Sequence, residues 1–143
     1  MTVKDCMNSH VIAVDPEDSA AVAARLMARH NLGALPVAAY DGSLCGMITD
    51  RDLILRCMAV DRPAEGTTVG TLMTSHVASV PPTASLSQAA ACMAREQVRR
   101  LPVVEGRRMV GMVSLGDLSR QAESTREAER AFTEITANIH RLD

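Results

Sequence analysis

The stretch GMITDRD, Gly46 to Asp52, and the stretch GMVSLGD, Gly111 to Asp117, share one pattern: glycine, methionine, an apolar residue, a hydroxyl, two variable positions and an aspartate. The apolar, β-rich half of each stretch reads as the end of a strand, and the hydroxyl marks the place where a helix opens. A hydroxyl at the N-cap with an acid three positions later is close to a capping box, in which the two residues satisfy each other's backbone N–H groups. Upstream, Asp41-Gly42 is a hairpin turn signal, and it joins LPVAA to LCGMIT. Proline is tolerated near the start of such a strand, where its missing N–H does least harm. The matching run in the second half is LPVVE. A second helix is expected after the first motif, from about Asp50 to Ala59.

Working outward from the motif, the whole chain reads as a duplication. At an offset of 66, Val3, Met7, Ser9-His10-Val11, Val14, Pro16, Ser19, Met27-Ala28-Arg29 and Leu35-Pro36-Val37 all meet identical residues. Over residues 3–37, sixteen of thirty-five positions agree. One residue is then lost in the turn, and at an offset of 65 Gly46-Met47 meets Gly111-Met112 and Asp52-Leu53 meets Asp117-Leu118. HVIAV and HVASV read as strands ended by Asp15-Pro16 and Pro81-Pro82. Ser19 is a good N-cap for SAAVAARLMARH, whose Val22, Leu26 and Met27 recur at helical spacing. The expected order in each copy is strand, helix, strand, strand, helix, a mixed α/β arrangement. Each copy of about 60 residues would bury too little alone to be robust, so two copies packed into one pseudo-symmetric unit are expected. We assign residues 1–62 to the first repeat, 63–122 to the second and 123–143 to a C-terminal amphipathic helix. The polar segment DRPAEGTT, residues 61–68, reads as the connector.

Ser124-x-x-Glu127 fits a capping box for that last helix. Ala128, Phe132, Ile135, Ile139 and Leu142 follow at heptad-like spacing. The stripe is too short for a free coiled coil, so it reads as a helix docked on its own domain or as one that helps hold a dimer together.

Composition bounds the function. Nearly half the residues are apolar, with 47% of the AVILMFWYC set, and Tyr40 and Phe132 are the only aromatics. The formal charge of −2 gives no electrostatic footprint for nucleic acid or for an anionic membrane. Arg99, Arg100, Arg107 and Arg108 form a local basic patch, but no aromatic lies nearby to stack bases. No apolar run approaches the roughly 18 residues of a membrane span, and the first ten residues lack a signal peptide's apolar stretch. A cytoplasmic protein is expected. Cys6, Cys45, Cys57 and Cys92 are widely separated, without a C-x-x-C pair, so they read as reduced, buried small hydrophobes rather than zinc ligands or disulfides. His10 and His76 are equivalent in the duplication, while His30 and His140 have no partner. None has a second ligand at metal spacing, and no metal is expected. No nucleophile-base-orienter set and no phosphate-binding loop is visible.

The repeated hydroxyl and aspartate admit two readings. Pure helix capping stabilises by about 1 kcal/mol and requires no ligand. Alternatively, a helix start offers N–H groups to an anion, the hydroxyl reaches a phosphate or sugar, and the aspartate accepts hydrogen bonds from a ribose diol. Gly46 and Gly111, on the preceding strands, allow close backbone approach.

These elements together resemble the cystathionine β-synthase (CBS) domain, which occurs in tandem pairs called Bateman modules. The carrying residues are Leu35-Pro36-Val37 and Leu101-Pro102-Val103, the G-h-h-[ST]-x-x-D motifs that follow them, and Val3 to Met7 with Val69 to Met73. The resemblance covers residues 3 to about 122 and extends to stand-alone bacterial pairs of the hypoxic-response type. It implies two β-α-β-β-α repeats packed sheet to sheet about a pseudo-twofold axis, with two clefts that bind AMP, ADP, ATP or an adenosyl relative as a regulatory ligand, not as a required cofactor. By this resemblance one cleft combines Ser114 and Asp117 with Ile12, Gly33 and Ala34. The other combines Thr49 and Asp52 with Ala78, Arg99 and Arg100. Arg51 is a further phosphate candidate that Gly116 replaces in the second copy, so the Thr49/Asp52 cleft is expected to bind nucleotide more tightly. A homodimer, and an unidentified protein partner that reads the ligand state, are also implied. The expected role is a non-enzymatic sensor of an adenine nucleotide. The alternatives are a ligand-free, stress-related interaction protein and an enzyme whose site is shared across a dimer.

Overall fold

The Ser19 hydroxyl opens the first long helix, as its sequence predicts. In the computed structural model, which describes residues 1–120, 130–131 and 133–137, Ser19 Oγ accepts from the Val22 N–H at 3.2 Å. Helix α1 runs over Ala20–His30 and ends at Asn31 in the left-handed region, which asparagine tolerates better than most residues. Ala20, Ala21, Ala23 and Met27 form its buried face. Strand β1 (Ala34–Ala38) pairs antiparallel with β2 (Leu44–Thr49). The turn between them uses Gly42 at φ 89°. Helix α2 (Asp50–Leu53) follows at once and passes into a π-helical turn at Ile54–Met58. The helix expected to Ala59 is thus one turn of α-helix and one wider turn, with Ala59 N–H bonded five residues back to the Ile54 carbonyl at 2.8 Å.

The second copy repeats the plan. Helix α3 (Val69–Leu72) precedes it. Helix α4 (Leu86–Glu96) is capped by a reciprocal Ser85/Gln88 box. Strands β3 (Arg100–Glu105) and β4 (Arg108–Ser114) form the second two-stranded sheet, and α5 (Leu115–Ser119) follows. The result is a mixed α/β protein of two repeats, each with a small two-stranded sheet and helices.

The runs HVIAV and HVASV differ from expectation. Each contributes one parallel bridge, Val14 to Val37 and Val80 to Val103, rather than a strand. Val14 N–H donates to the Pro36 carbonyl at 3.1 Å, and Ala38 N–H donates to Val14 at 2.8 Å. Pro36 has no N–H to continue the ladder, and Pro102 stands in the same place in the other copy.

The chain divides into two compact units. One comprises Ile12–Val77 and Arg107–Met109, and the other Met1–Val11, Ala78–Gly106 and Val110–Asp143. Each unit is therefore built from one copy's helix and hairpin and the opening segment of the other copy. In the first, Val69 and Leu72 are fully buried with Val14, Leu35, Val37 and Ile48. In the second, Val3 is fully buried with Leu101, Val103, Val113 and Leu118. Full burial of such a side chain stabilises by about 1.5–3 kcal/mol, so the opening segments are structural parts of these cores.

Backbone hydrogen bonds hold each opening segment against its hairpin. Met47 and Thr74 exchange N–H to O bonds, both 2.9 Å, as Asn8 and Met112 do at 2.8 and 2.9 Å. Gly46 and Gly111 make this approach possible. A Cβ on Gly46 would lie 2.5 Å from the Thr74 carbonyl oxygen and 2.9 Å from Met73 Sδ; one on Gly111 would lie 2.7 Å from Met7 Sδ. What comes close to each glycine is protein.

Of the C-terminal stripe, Ile135 is described and is buried at 3% exposure. Ala131, between stripe positions, joins the core of the second unit. Ser124, Glu127, Ala128, Phe132, Ile139 and Leu142 lie outside the described residues.

Candidate functional site

The register of the first hairpin decides which residues meet at the motif. Ala34 pairs with Thr49 across the strands, and the Asp50 N–H donates to the Gly33 carbonyl at 2.9 Å. Thr49 Oγ1 accepts from the Asp52 N–H at 3.1 Å, and Asp52 Oδ2 accepts from the Thr49 N–H at 2.9 Å. This is the reciprocal capping box predicted from sequence. Ile12 is half-buried against the same core. Arg51 is exposed one position along. Its N–H is taken by Asp50 Oδ1 at 2.8 Å. The N–H groups of Asp50, Arg51 and Asp52 are thus all engaged within the protein, and two carboxylates crowd the helix start.

The second unit shares the geometry with different chemistry. Ser114 Oγ accepts from the Asp117 N–H at 3.1 Å, and Asp117 Oδ2 accepts from the Ser114 N–H at 2.8 Å. The Leu115 N–H donates to the Arg99 carbonyl at 2.7 Å, which sets Arg99 and Arg100, both exposed, beside the motif. Ala78 is half-buried against this core. Leu115 stands where the first copy has Asp50, so no carboxylate side chain caps the Gly116 N–H.

Hairpin register thus brings Gly33 and Ala34 to Thr49 and Asp50, and brings Arg99 to Leu115, next to Ser114. The cause is local: a hairpin places the residues just before its first strand against the end of its second. Arg107 and Arg108, counted in the sequence with Arg99 and Arg100 as one basic patch, belong to the other unit.

Sequence reasoning missed one feature of both motifs. Each aspartate has an arginine one turn on. Asp52 Oδ1 faces Arg56 Nε at 3.8 Å, and Arg56 Nη1 also donates to the Leu72 carbonyl at 3.1 Å. Asp117 Oδ1 accepts directly from Arg120 Nη2. Spacings of i,i+4 and i,i+3 on a helix are readable from sequence. The capping oxygen Oδ2 is turned inward in each case, and Oδ1 is the atom left for an outside donor. The aspartate side chains are 14% and 18% exposed.

Burial pushes the Cys6 thiol above its ordinary value, and the charges of Asp117 and Asp5 add to this while Arg120 opposes it. Cys92 is raised in the same way, first by burial. Both thiols are held protonated at neutral pH, which makes them poor nucleophiles and poor metal ligands. All four cysteines are free. Among the described residues no three His, Cys, Asp or Glu side chains gather at metal-binding range, and no helix is long and apolar enough to cross a membrane.

With the fold and both motifs in view, the chain belongs to the CBS domain family, which it matches over residues 3–58 and 69–124. It is 43% identical to the CBS domain-containing protein YhcV of Bacillus subtilis over 97% of this chain and 99% of that one. Hypoxic response protein 1 of Mycobacterium tuberculosis is 35% identical over 83% of each chain. A crystal structure of Hypoxic Response Protein I, with two coordinated zinc ions, superposes with a TM-score of 0.78 at 35% identity, covering 85% of this chain and 98% of that one. Two similar structures hold adenosyl compounds. CBSX2 in complex with AMP has a TM-score of 0.73 at 28% identity and covers 87% and 98% of the two chains. The CBS pair of MJ0100, in complex with 5-methylthioadenosine and S-adenosyl-L-methionine, has 0.71 at 29% over 84% and 98%.

Proposed function

We propose that this protein is a non-catalytic regulatory module that binds an adenine nucleotide or related adenosyl ligand and passes its occupancy to a protein partner or through its own homodimer. The observation that carries the reading is the doubled hydroxyl–aspartate motif. In both copies the capping box uses Oδ2 and leaves Oδ1 facing outward, 3.8 Å from Arg56 in one unit and bonded to Arg120 in the other. A carboxylate oxygen has lone pairs enough to hold an arginine and a sugar hydroxyl together. The hydroxyls of Thr49 and Ser114 accept the capping bond with oxygen and keep their protons to donate. The same fold holds AMP in CBSX2 and adenosyl compounds in MJ0100.

The two sites are unequal. At Thr49 the neighbouring carboxylates of Asp50 and Asp52 and the spent N–H groups disfavour a phosphate. At Ser114 the Gly116 N–H and the forked donors of Arg99 and Arg100 favour one. The phosphate-preferring site in this proposal is therefore the Ser114/Asp117 site, with Ala78, Arg99 and Arg100. Ile12, Gly33, Ala34, Thr49, Arg51 and Asp52 form the site for a ligand with less negative charge, such as a nucleoside or thioether.

A second reading is favoured by one fact: both capping boxes are complete without any ligand, so the motif also suits a ligand-free interaction protein. Thermal denaturation with AMP, ADP, ATP, adenosine and S-adenosylmethionine separates the two. A ligand at 100 times its Kd adds about 2.7 kcal/mol, which for a chain of this size raises Tm by about 5–10 °C. At least one compound is expected to do so. No shift with any of them at millimolar concentration selects the ligand-free reading.

A further inference from the structure

A guanidinium can hold two anionic groups at once, because its five N–H donors lie in one rigid plane and form a fork. Arg120 is placed to use that property beside Asp117. Its Nη2 donates to Asp117 Oδ1. Its Nη1 lies 3.8 Å from the point where a Cβ on Gly116 would stand, and Ser114 Oγ lies 3.6 Å from the same point. Gly116 is exposed and has no side chain to fill that point. The Ser114 hydroxyl and the Arg120 guanidinium therefore border one open spot at the surface. The Arg120 side chain is 71% exposed, so it stays accessible to a solute while it holds Asp117. An exposed ion pair of this kind adds little to stability.

The first copy does not repeat the arrangement. Arg51 stands at Gly116's place in the duplication, so the point left open at Gly116 is taken there by a Cβ. Arg56 follows Asp52 by four residues rather than three, with Nε 3.8 Å from Oδ1. Its Nη1 is engaged by the Leu72 carbonyl at 3.1 Å. The guanidinium of the first copy is thus tied to the protein's own backbone, while that of the second is turned over Gly116. We infer, on the adenosyl reading of the Ser114/Asp117 site, that Arg120 is its specificity-determining residue: it holds Asp117 with one nitrogen and a ligand's phosphate oxygen with the other, and so sets the preference for a phosphorylated over an unphosphorylated adenosyl compound. The Ser114 hydroxyl, which accepts its capping bond with oxygen, donates its proton to the same phosphate from the other side of the spot.

Calorimetric titration of AMP and of adenosine into the wild type, Arg120→Gln and Arg95→Gln tests it. Arg95 is an exposed arginine of the same unit, so its replacement makes an equal change of charge away from the motif. Arg120→Gln is expected to lower AMP affinity about tenfold, as the loss of one charge-assisted bond requires, with adenosine affinity and Tm unchanged. Arg95→Gln is expected to bind both compounds as the wild type does. An equal loss of AMP affinity in the two variants would make Arg120 a distant charge and overturn the assignment. AMP and adenosine affinities that fall together in Arg120→Gln would overturn it too, since Arg120 would then act only by holding Asp117. A wild type that binds both compounds alike, or an AMP affinity unchanged in Arg120→Gln, overturns it while leaving the adenosyl site in place. A wild type that binds neither compound overturns both the role of Arg120 and the reading of the site.

Discussion

Replacing Gly46 with alanine is expected to destabilise the protein by about 2–3 kcal/mol, the usual cost of forcing atoms into a packed site. The added Cβ would stand 2.5 Å from the Thr74 carbonyl oxygen. That oxygen is backbone, held by the bond it accepts from the Met47 N–H at 2.9 Å, so it cannot swing aside. Movement would pull Met73 and Thr74 off the hairpin and loosen Val69 and Leu72, which are fully buried in the same core. Gly111→Ala is the internal control. Its closest neighbour is the thioether of Met7 at 2.7 Å, with the Asn8 carbonyl oxygen at 3.0 Å. A methionine side chain yields more easily than a carbonyl, so about 1 kcal/mol is expected there. Urea denaturation of the two variants measures both. A Gly46→Ala variant within 0.5 kcal/mol of the wild type would show that the opening segment is not held against the hairpin as described.

The second large effect is expected at Asp117, in two parts. Asp117→Asn keeps an oxygen that can accept from the Ser114 N–H, so the cap survives and stability falls by no more than about 1 kcal/mol. It removes the charge that a ribose hydroxyl would meet at Oδ1. A hydrogen bond to a charged group is worth about 1.5–3 kcal/mol, so affinity for AMP should drop about 10- to 100-fold. Asp117→Ala should lose the same affinity and the cap as well. Isothermal titration calorimetry with parallel thermal melts reads both quantities. If Asp117→Asn binds AMP within twofold of the wild type, the aspartate is a helix cap and nothing more.

Much of this was legible because the chain states it twice. The duplication, the hairpins around Leu35-Pro36-Val37 and Leu101-Pro102-Val103, the Ser19 and Ser85 caps and the reciprocal boxes at Thr49/Asp52 and Ser114/Asp117 all depend on residues within a few positions of one another. Local spacing is what a sequence reports best. The exchange of opening segments depends on long-range packing. Val3 and Val69 read as apolar residues before a strand, and nothing near them says that each is buried with the other copy's hairpin. Gly46 and Gly111 were the visible trace of it, since a glycine inside a strand marks a close approach without naming what approaches. The strands expected at HVIAV and HVASV shrank to single bridges because Pro36 and Pro102 interrupt the ladder. The π-helical turn at Ile54–Met58 follows from no propensity in ILRCM that we can identify.

At the site, hairpin register decides which residues lie beside each motif. Leu115 N–H to Arg99 carbonyl and Ala34 opposite Thr49 are consequences of hairpin geometry that the turn signal at Asp41-Gly42 already contained. The same geometry in the second hairpin sets the Arg99 carbonyl against the Leu115 N–H. The pairing of Arg56 with Asp52 and of Arg120 with Asp117 was equally available from helical spacing.

The central claim is that the hydroxyl–aspartate motif holds an adenosyl ligand, with the phosphate taken at Ser114. Calorimetric titration of AMP and of adenosine into the wild type and into Arg100→Ala tests it most directly. The account predicts that the wild type binds AMP at least about tenfold tighter than adenosine, as charge-assisted bonds to phosphate require, and that Arg100→Ala narrows this gap while leaving adenosine affinity in place. Absence of binding by either compound at millimolar concentration, or AMP binding that is unchanged when Asp52 and Asp117 are both replaced by alanine, would contradict it.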